Sequence, residues 1–309
     1  MKVRVSIGTL AALGLEAIRM DVRPGVAYLL QYSEGGCLAR CAFCTQSSVS
    51  RASRDLLSRV VWPVVELEEL LPRLPRVFRR VCIQTVIKEG FLEEVYAAAR
   101  SLASYGLGVS VSTTPIPRRD LEHLREIGVD YIGVGLDAAS PELASAVGKP
   151  YSYWEYLRFT KEAVEVFGTG RVVVHVIVGL GEDLRDLVST LKRVYSLGAR
   201  ASLFAFTPIR GTPMEGRPRP SVRYYRLAQL VNYALSRGLD VDEFLDTERG
   251  CLRSVPAAGS GELARALLTA GCPGCNRPYY TESPGGELYN VPSEGLLPDI
   301  REVLRGLSC

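Results

Sequence analysis

The chain has 309 residues, long enough for one barrel-sized domain plus an appendage, and 47% hydrophobic residues provide for a large buried core. No window approaches the roughly 18 uninterrupted apolar residues of a membrane-spanning helix. A net charge of +3 is too small to imply nucleic-acid binding. The start, Met1-Lys2-Val3-Arg4-Val5, lacks the apolar block of a secretory signal, so a cytoplasmic protein is expected. Arginine supplies 32 of the 37 basic residues and asparagine occurs only at Asn232, Asn276 and Asn290, as a thermophile or a GC-rich genome would produce. Eight cysteines in such a chain point to metal or redox chemistry rather than disulfides.

Residues 6–23 read as one or two amphipathic helices, an N-terminal segment over 1–24. Strand and helix patterns then alternate. Strands are expected at Val26–Gln31, Val81–Ile87, Gly108–Thr113, Tyr131–Leu136, Val172–Val178 and Ala201–Thr207, with helices at Val65–Val77, Leu92–Tyr105, Arg118–Ile127, Tyr153–Val166 and Leu184–Ser196. Six such units imply an α/β fold with a parallel sheet and right-handed crossovers, a partial TIM-type (β/α)6 barrel over 25–216. The alternation stops after Pro213, and Gly216-Arg217-Pro218-Arg219-Pro220 reads as a linker. Two helices, Ser221–Arg237 and Gly261–Thr269, and an irregular stretch from Gly271 to Pro292 make up a C-terminal extension over 217–309.

The first strand runs into Gly35-Gly36-Cys37-Leu38-Ala39-Arg40-Cys41-Ala42-Phe43-Cys44. A closed zinc site takes four ligands, and a ferredoxin-type cluster takes four cysteines. Three thiolates on a [4Fe–4S] cube leave one iron open. A zinc knuckle or three unrelated core cysteines is the alternative, which spacing, preceding strand and aromatic all disfavour. The Cys-x3-Cys-x2-Cys loop, with Phe43 before its last cysteine, resembles the signature of the radical S-adenosylmethionine (SAM) superfamily. The resemblance implies that Cys37, Cys41 and Cys44 hold a [4Fe–4S] cluster whose open iron chelates SAM. Reductive cleavage of SAM then gives a 5′-deoxyadenosyl radical.

Chemistry in such a barrel gathers at the C-terminal ends of the strands. Between residues 27 and 214 the chain resembles biotin synthase and its relatives, notably at Cys44-Thr45-Gln46-Ser47-Ser48 and at Ile177-Val178-Gly179-Leu180-Gly181-Glu182. The resemblance places Phe43, Gln84, Asp137, Lys149, Ile177, Gly179 and Gly181 at the SAM site, with Asp137 on the ribose hydroxyls and the glycines beside the adenine. Taken alone, Asp137 is equally a turn or cap residue and Gly-Leu-Gly a strand-to-helix turn. Arg210, in Thr207-Pro208-Ile209-Arg210-Gly211-Thr212-Pro213, is a candidate for a substrate carboxylate or carbonyl, or a rim residue. His175 shares a face with Val173 and Ile177, which makes it either a chamber residue or a hydrogen-bonded core histidine. His123 lies on a charged helix and reads as solvated.

The second cluster of biotin synthase uses cysteines on strands two, three and five and a later arginine, and here only the first has a possible counterpart, Cys82. Val111 or Ser112 and Val173 stand at the other places, and Gly135 replaces a ureido-reading asparagine. Cys82 therefore reads as a buried small hydrophobe. Cys272-Pro273-Gly274-Cys275, with Cys251 and the terminal Cys309, could supply four thiolates to an auxiliary [4Fe–4S] cluster or to structural zinc. A biotin-synthase-like barrel with such a tail, including Cys275–Tyr280 and Pro284–Asn290, resembles the archaeal two-component lipoyl synthases. That resemblance implies sulfur insertion into an octanoyl chain on a carrier protein or peptide, a partner radical SAM subunit and an external donor such as ferredoxin. The alternatives are a radical SAM mutase or ring-forming enzyme without sulfur insertion, its tail holding a structural site, and a non-catalytic iron–sulfur protein.

Overall fold

A computed structural model describes residues 1–256, 259–282 and 285–309. Eight strands form one sheet: β1 (Lys2–Val5), β2 (Ala27–Gln31), β3 (Val64–Glu66), β4 (Arg80–Gln84), β5 (Gly108–Thr113), β6 (Val129–Asp137), β7 (Val172–Val178) and β8 (Arg200–Ala205). Their order is β8-β7-β6-β5-β4-β2-β1-β3. The six strands from β2 through β4 to β8 run parallel, and β1 and β3 add antiparallel at the β2 end. This is the expected α/β partial TIM-type barrel. Strand alternation builds it. In β7, Val172, Val174, Val176 and Val178 are buried against the helical layer, while Val173, His175 and Ile177 face the interior chamber.

The outer helices are α1 (Phe91–Ser104), α2 (Arg118–Glu126), α3 (Tyr153–Phe167), α4 (Leu184–Ser196) and α5 (Val222–Ser236). Side chains that satisfy free amide groups start them sharply. Ser152 and Glu155 form a capping box at α3, Asp183 accepts from the Asp186 amide at α4, and Ser221 accepts from the Tyr224 amide at α5. The terminal helix α6 (Ile300–Leu307) packs against α5 and buries Ile300, Leu304 and Leu307.

Three expectations change. Within residues 6–23 only Ile7–Ala12 is helical, and Lys2–Val5 is a strand that extends the sheet. The stretch expected as a helix over Val65–Val77 opens with β3, then gives two single turns, Leu67–Leu70 and Leu74–Val77, because Pro72 and Pro75 interrupt it. Helix α6 had no counterpart in the sequence reading.

An open sheet leaves a gap between β8 and the β2 side, and the C-terminal tail spans it. On one side Arg277 Nη2 and Asn290 Nδ2 both donate to the Leu203 carbonyl of β8 at 3.2 Å. On the other, the Asn276 side chain accepts from the Gly25 amide at 2.9 Å and donates to the Arg23 carbonyl at 3.0 Å. Gly25 must lack a side chain, since a Cβ there would run into the Gly274 carbonyl. Ser283 and Pro284, part of the tail compared with the lipoyl synthases, lie outside the described residues.

Candidate active site

The cysteine loop hangs from the C-terminal end of β2 and is fastened by its own backbone. Cys37 N–H donates to Gln46 O at 2.6 Å, Leu38 N–H to Ile87 O at 2.8 Å and Ala42 N–H to Val147 O at 2.8 Å. Arg54 Nη1 donates to the Thr45 and Ser47 carbonyls, each at 2.8 Å. Cys37, Cys41 and Cys44 are free thiols, and all three line one pocket of about 250 Å³. The Ile87 amide donates to Cys37 Sγ at 3.2 Å, the contact that suits a ligating thiolate. Burial pushes the Cys41 thiol up to about 11 and the Cys44 thiol up to about 12, the latter with a contribution from Cys41. A three-thiol donor set preorganised by backbone hydrogen bonds fits a cubane with one open iron.

Opposite the loop, Asp137 ends β6 in a left-handed conformation, φ 62°. Lys149 Nζ donates to Asp137 Oδ2 at 2.5 Å and to the Gly135 carbonyl at 2.7 Å, and lies 4.9 Å from the Tyr156 ring centre. Burial, the largest single influence, would lower the lysine's pKa, but the Asp137 charge and hydrogen bond together with Tyr156 and Cys41 outweigh it and hold the ammonium above its ordinary value. Phe43, Gln84, Gly135, Ile177 and His175 line the same pocket. Gly179 and Gly181 do not: they form the turn after β7, and their amides donate to the Glu182 carboxylate at 2.6 and 3.1 Å. Arg210 is exposed beyond β8 and lines neither this pocket nor the chamber beneath.

Beneath this pocket lies a larger, mostly apolar chamber of about 500 Å³, and Gln84, Ser112, His175, Phe204 and Tyr280 belong to the walls of both. His175 is an interior residue whose ring meets Phe204 edge-on at 5.2 Å. Burial, then the Arg277 charge, pushes it down to about 4, so it stands neutral near pH 7. Burial, and next the nearness of Cys44, raises the Tyr280 hydroxyl above its usual range.

The four C-terminal cysteines do not come together. Cys251 and Cys309 are bonded to each other in a disulfide, so neither offers a thiolate, and the expectation of a chain without disulfides is corrected with them. The terminal Cys309 is held there by its amide, which donates to Leu252 O. Cys272 and Cys275 instead enter the chamber on the tail, and there they meet Cys82. Cys82 thus lines the chamber while packing against the apolar cluster of Val26, Tyr28, Leu30, Trp62 and Val86. Its Sγ lies 3.8 Å from Ser112 Oγ, and burial, followed by the charges of Cys272 and Cys275, raises its pKa. Burial and then Cys275 push Cys272 up to about 11. Among the described residues no group of three or more His, Cys, Asp or Glu is set to hold a single metal ion. From sequence alone, Cys82, Tyr156, Phe204, Arg277 and Tyr280 received no role at the site. Strand alternation could have found Cys82, which sits with Gln84 opposite the buried Val81 and Ile83.

Residues 34–194 match the family model described as the radical SAM superfamily. Biotin synthase of Thermus thermophilus is 29% identical over 244 residues, 72% of this chain and 72% of that one. That of Acidithiobacillus ferrooxidans is 28% identical over 261 residues, 79% of each. With biotin synthase of Allorhizobium ampelinum the identity is 27% over 200 residues, 62% of this chain and 60% of the relative's length. Among solved structures, HydG, a maturase of the [FeFe]-hydrogenase, superposes with a TM-score of 0.55 at 13% identity, over 69% of this chain and 50% of that one. Methylornithine synthase (PylB) gives 0.52 at 16% identity, over 69% and 62%. At such identities the two structures are evidence of fold alone.

Proposed function

The chain belongs to the radical SAM superfamily, on the biotin synthase-related side, and within it we propose that it inserts sulfur at an unactivated aliphatic carbon, in an octanoyl chain carried on a protein or peptide. The observation that supports this reading is that two sets of thiols, Cys37/Cys41/Cys44 and the chamber cysteines, face one continuous interior and share the walls His175, Phe204 and Tyr280. When bound at Cys37, Cys41 and Cys44, a [4Fe–4S] cluster supplies the electron that splits SAM into methionine and the radical that takes hydrogen from the substrate.

The chain's own residues bind, orient and keep water out. Lys149 occupies Asp137 Oδ2 and leaves Oδ1 to accept a ribose hydroxyl of SAM. Phe43, Gln84 and Ile177 shape the rest of the SAM pocket, and Gly179 and Gly181 support it from the turn behind. Neutral His175 serves as a hydrogen-bonding wall and not as an acid. Ile18, Met20, Val26, Val60 and Trp62 give the lower chamber an apolar lining suited to an alkyl chain, and exposed Arg19 and Asp21 mark its solvent mouth. An external one-electron donor and a carrier-bound substrate are the partners this chemistry takes, and a second radical SAM subunit is the further partner we propose.

The test is anaerobic turnover with SAM, reductant and an octanoylated carrier peptide, after loading the protein with isotopically labelled sulfide. Formation of 5′-deoxyadenosine together with a labelled thiol on the peptide is expected. Release of 5′-deoxyadenosine with a product that lacks sulfur would sink sulfur insertion in favour of a rearranging or ring-forming radical enzyme.

A further inference from the structure

We infer that Arg277 is a substrate-binding residue of the chamber, donating from Nη1 to the acyl carbonyl oxygen of the carrier-bound chain and so fixing which carbon stands at the SAM pocket. The inference deepens the sulfur-insertion reading and rests on it for the identity of the chain.

Arg277 is 8% exposed and lines the chamber. Its Nη2 donates to Leu203 O at 3.2 Å and to Ala270 O at 3.1 Å, which holds one edge of the guanidinium against the wall. Its Nε is buried with no partner. Among the described residues no carboxylate pairs with the guanidinium and no group accepts from Nη1. A buried cation with donors left over is costly, and that cost falls when a ligand oxygen enters to accept. The residue is also held in place from behind. Its backbone has a left-handed φ of 38°, and its amide donates to Tyr28 Oη at 3.0 Å. Such a conformation is unfavourable for a residue other than glycine and persists where its surroundings impose it, as at ligand clamps.

Its position along the cavity suits the contact. The guanidinium carbon lies 3.7 Å from the ring centre of Phe204, a wall of both the chamber and the SAM pocket, so the cation stands where the two meet. Between the solvent mouth and this point, Ile18, Met20, Val60 and Trp62 give an apolar passage for the methylenes of a lysine arm. The amide carbonyl at the end of that arm then meets Nη1 in a charge-assisted hydrogen bond. Beyond it the alkyl chain passes Phe204 towards Phe43 and Ile177 of the SAM pocket. An alkyl chain has no polar group with which to set its own register. The carbon to be attacked is therefore chosen by its distance from the one acceptor that can be gripped.

The experiment measures binding and regiochemistry on the reconstituted protein. With SAM and no reductant, an octanoyl-lysine peptide is compared with the same peptide carrying an octyl thioether on an arm of equal length, which keeps the chain and lacks the carbonyl. The wild type, a comparison that needs no variant, should bind the amide at least about tenfold more tightly, as a buried hydrogen bond to a charged donor provides. Arg277→Met should bring the two Kd values together, and Arg277→Lys should restore part of the gap. With reductant, acyl chains one carbon shorter and one longer, deuterated at single positions, report which hydrogen reaches 5′-deoxyadenosine. The wild type should take it at a constant count of bonds from the carbonyl, and Arg277→Met should take it from several positions. Equal binding of amide and thioether by the wild type, or an unchanged abstraction site in Arg277→Met, would overturn the inference and leave sulfur insertion standing. A product without sulfur, but with an abstraction site that depends on Arg277, would overturn sulfur insertion and leave the carbonyl contact standing. Octanoate binding more tightly than the peptide would make a free carboxylate the ligand of Arg277 and overturn the carrier-bound chain. No saturable binding of the octanoyl peptide would overturn both readings.

Discussion

Lys149 and Asp137 carry the strongest residue-scale expectation. Their side chains are 5% and 17% exposed and their charges meet at 2.5 Å. Removing one partner of such a pair leaves the other buried and uncompensated, at about 3–5 kcal/mol. Lys149→Met should therefore lower Tm and raise the KM for SAM at least about tenfold, and Asp137→Asn/Lys149→Met should be more stable than Lys149→Met alone. A double variant no more stable than the single one would show that the pair is not the source of the loss. His175 gives a pH signature. Its folded pKa, about 4, lies below the ordinary 6.5, and the charged groups facing it are Arg277, Asp137 and Lys149. The unfolded chain thus binds more protons between those values, so this contribution to stability is present above pH 6.5 and is lost as pH falls towards 4. Denaturant titrations of wild type and His175→Gln across that window should show a flatter acid limb in the variant.

At the scale of the element, the turn between β7 and α4 shows why Gly-Leu-Gly-Glu stands there. Gly179 has φ 97°, and a Cβ on it would lie 2.7 Å from Cδ of the rigid Pro220 ring. Left-handed backbone and contact with an unyielding ring together cost about 2–4 kcal/mol for any other residue. Gly179→Ala should lower Tm by several degrees in thermal melts, and an unchanged melt would remove the packing argument. The sequence marked this turn as a site for close approach. The close neighbours are Pro220 and the Glu182 carboxylate, which takes both glycine amides. Local spacing shows that glycine is required and is silent on what approaches it.

At the scale of the whole molecule, the tail closes the barrel and the Cys251–Cys309 disulfide ties the chain end to the body across 58 residues. Constraining a loop of that length in the unfolded chain is worth on the order of 4 kcal/mol. Cys309→Ser, or a thiol reductant, should lower Tm measurably while the iron content of the reconstituted protein stays the same. Loss of iron together with the disulfide would tie the two functions of the tail to each other.

The barrel and the cysteine loop were legible in the sequence because their information is local. Alternating burial identifies β5 and β7 to the residue, and three cysteines within eight positions announce a cluster wherever the loop is placed. Asp137 and Lys149 were legible only through resemblance, since nothing in their spacing shows that one charge neutralises the other. Which thiols share the chamber was not legible. Cys82 reads as an apolar strand residue and Cys251, Cys272, Cys275 and Cys309 read as one set, because cysteine type and count carry no record of which sulfurs meet. That was decided when the tail crossed the open edge of the sheet, delivering Cys272, Cys275 and Arg277 to the strand that holds Cys82 and leaving Cys251 and Cys309 to each other. Contacts between segments so far apart are set by barrel closure, and closure is a property of the folded chain as a whole.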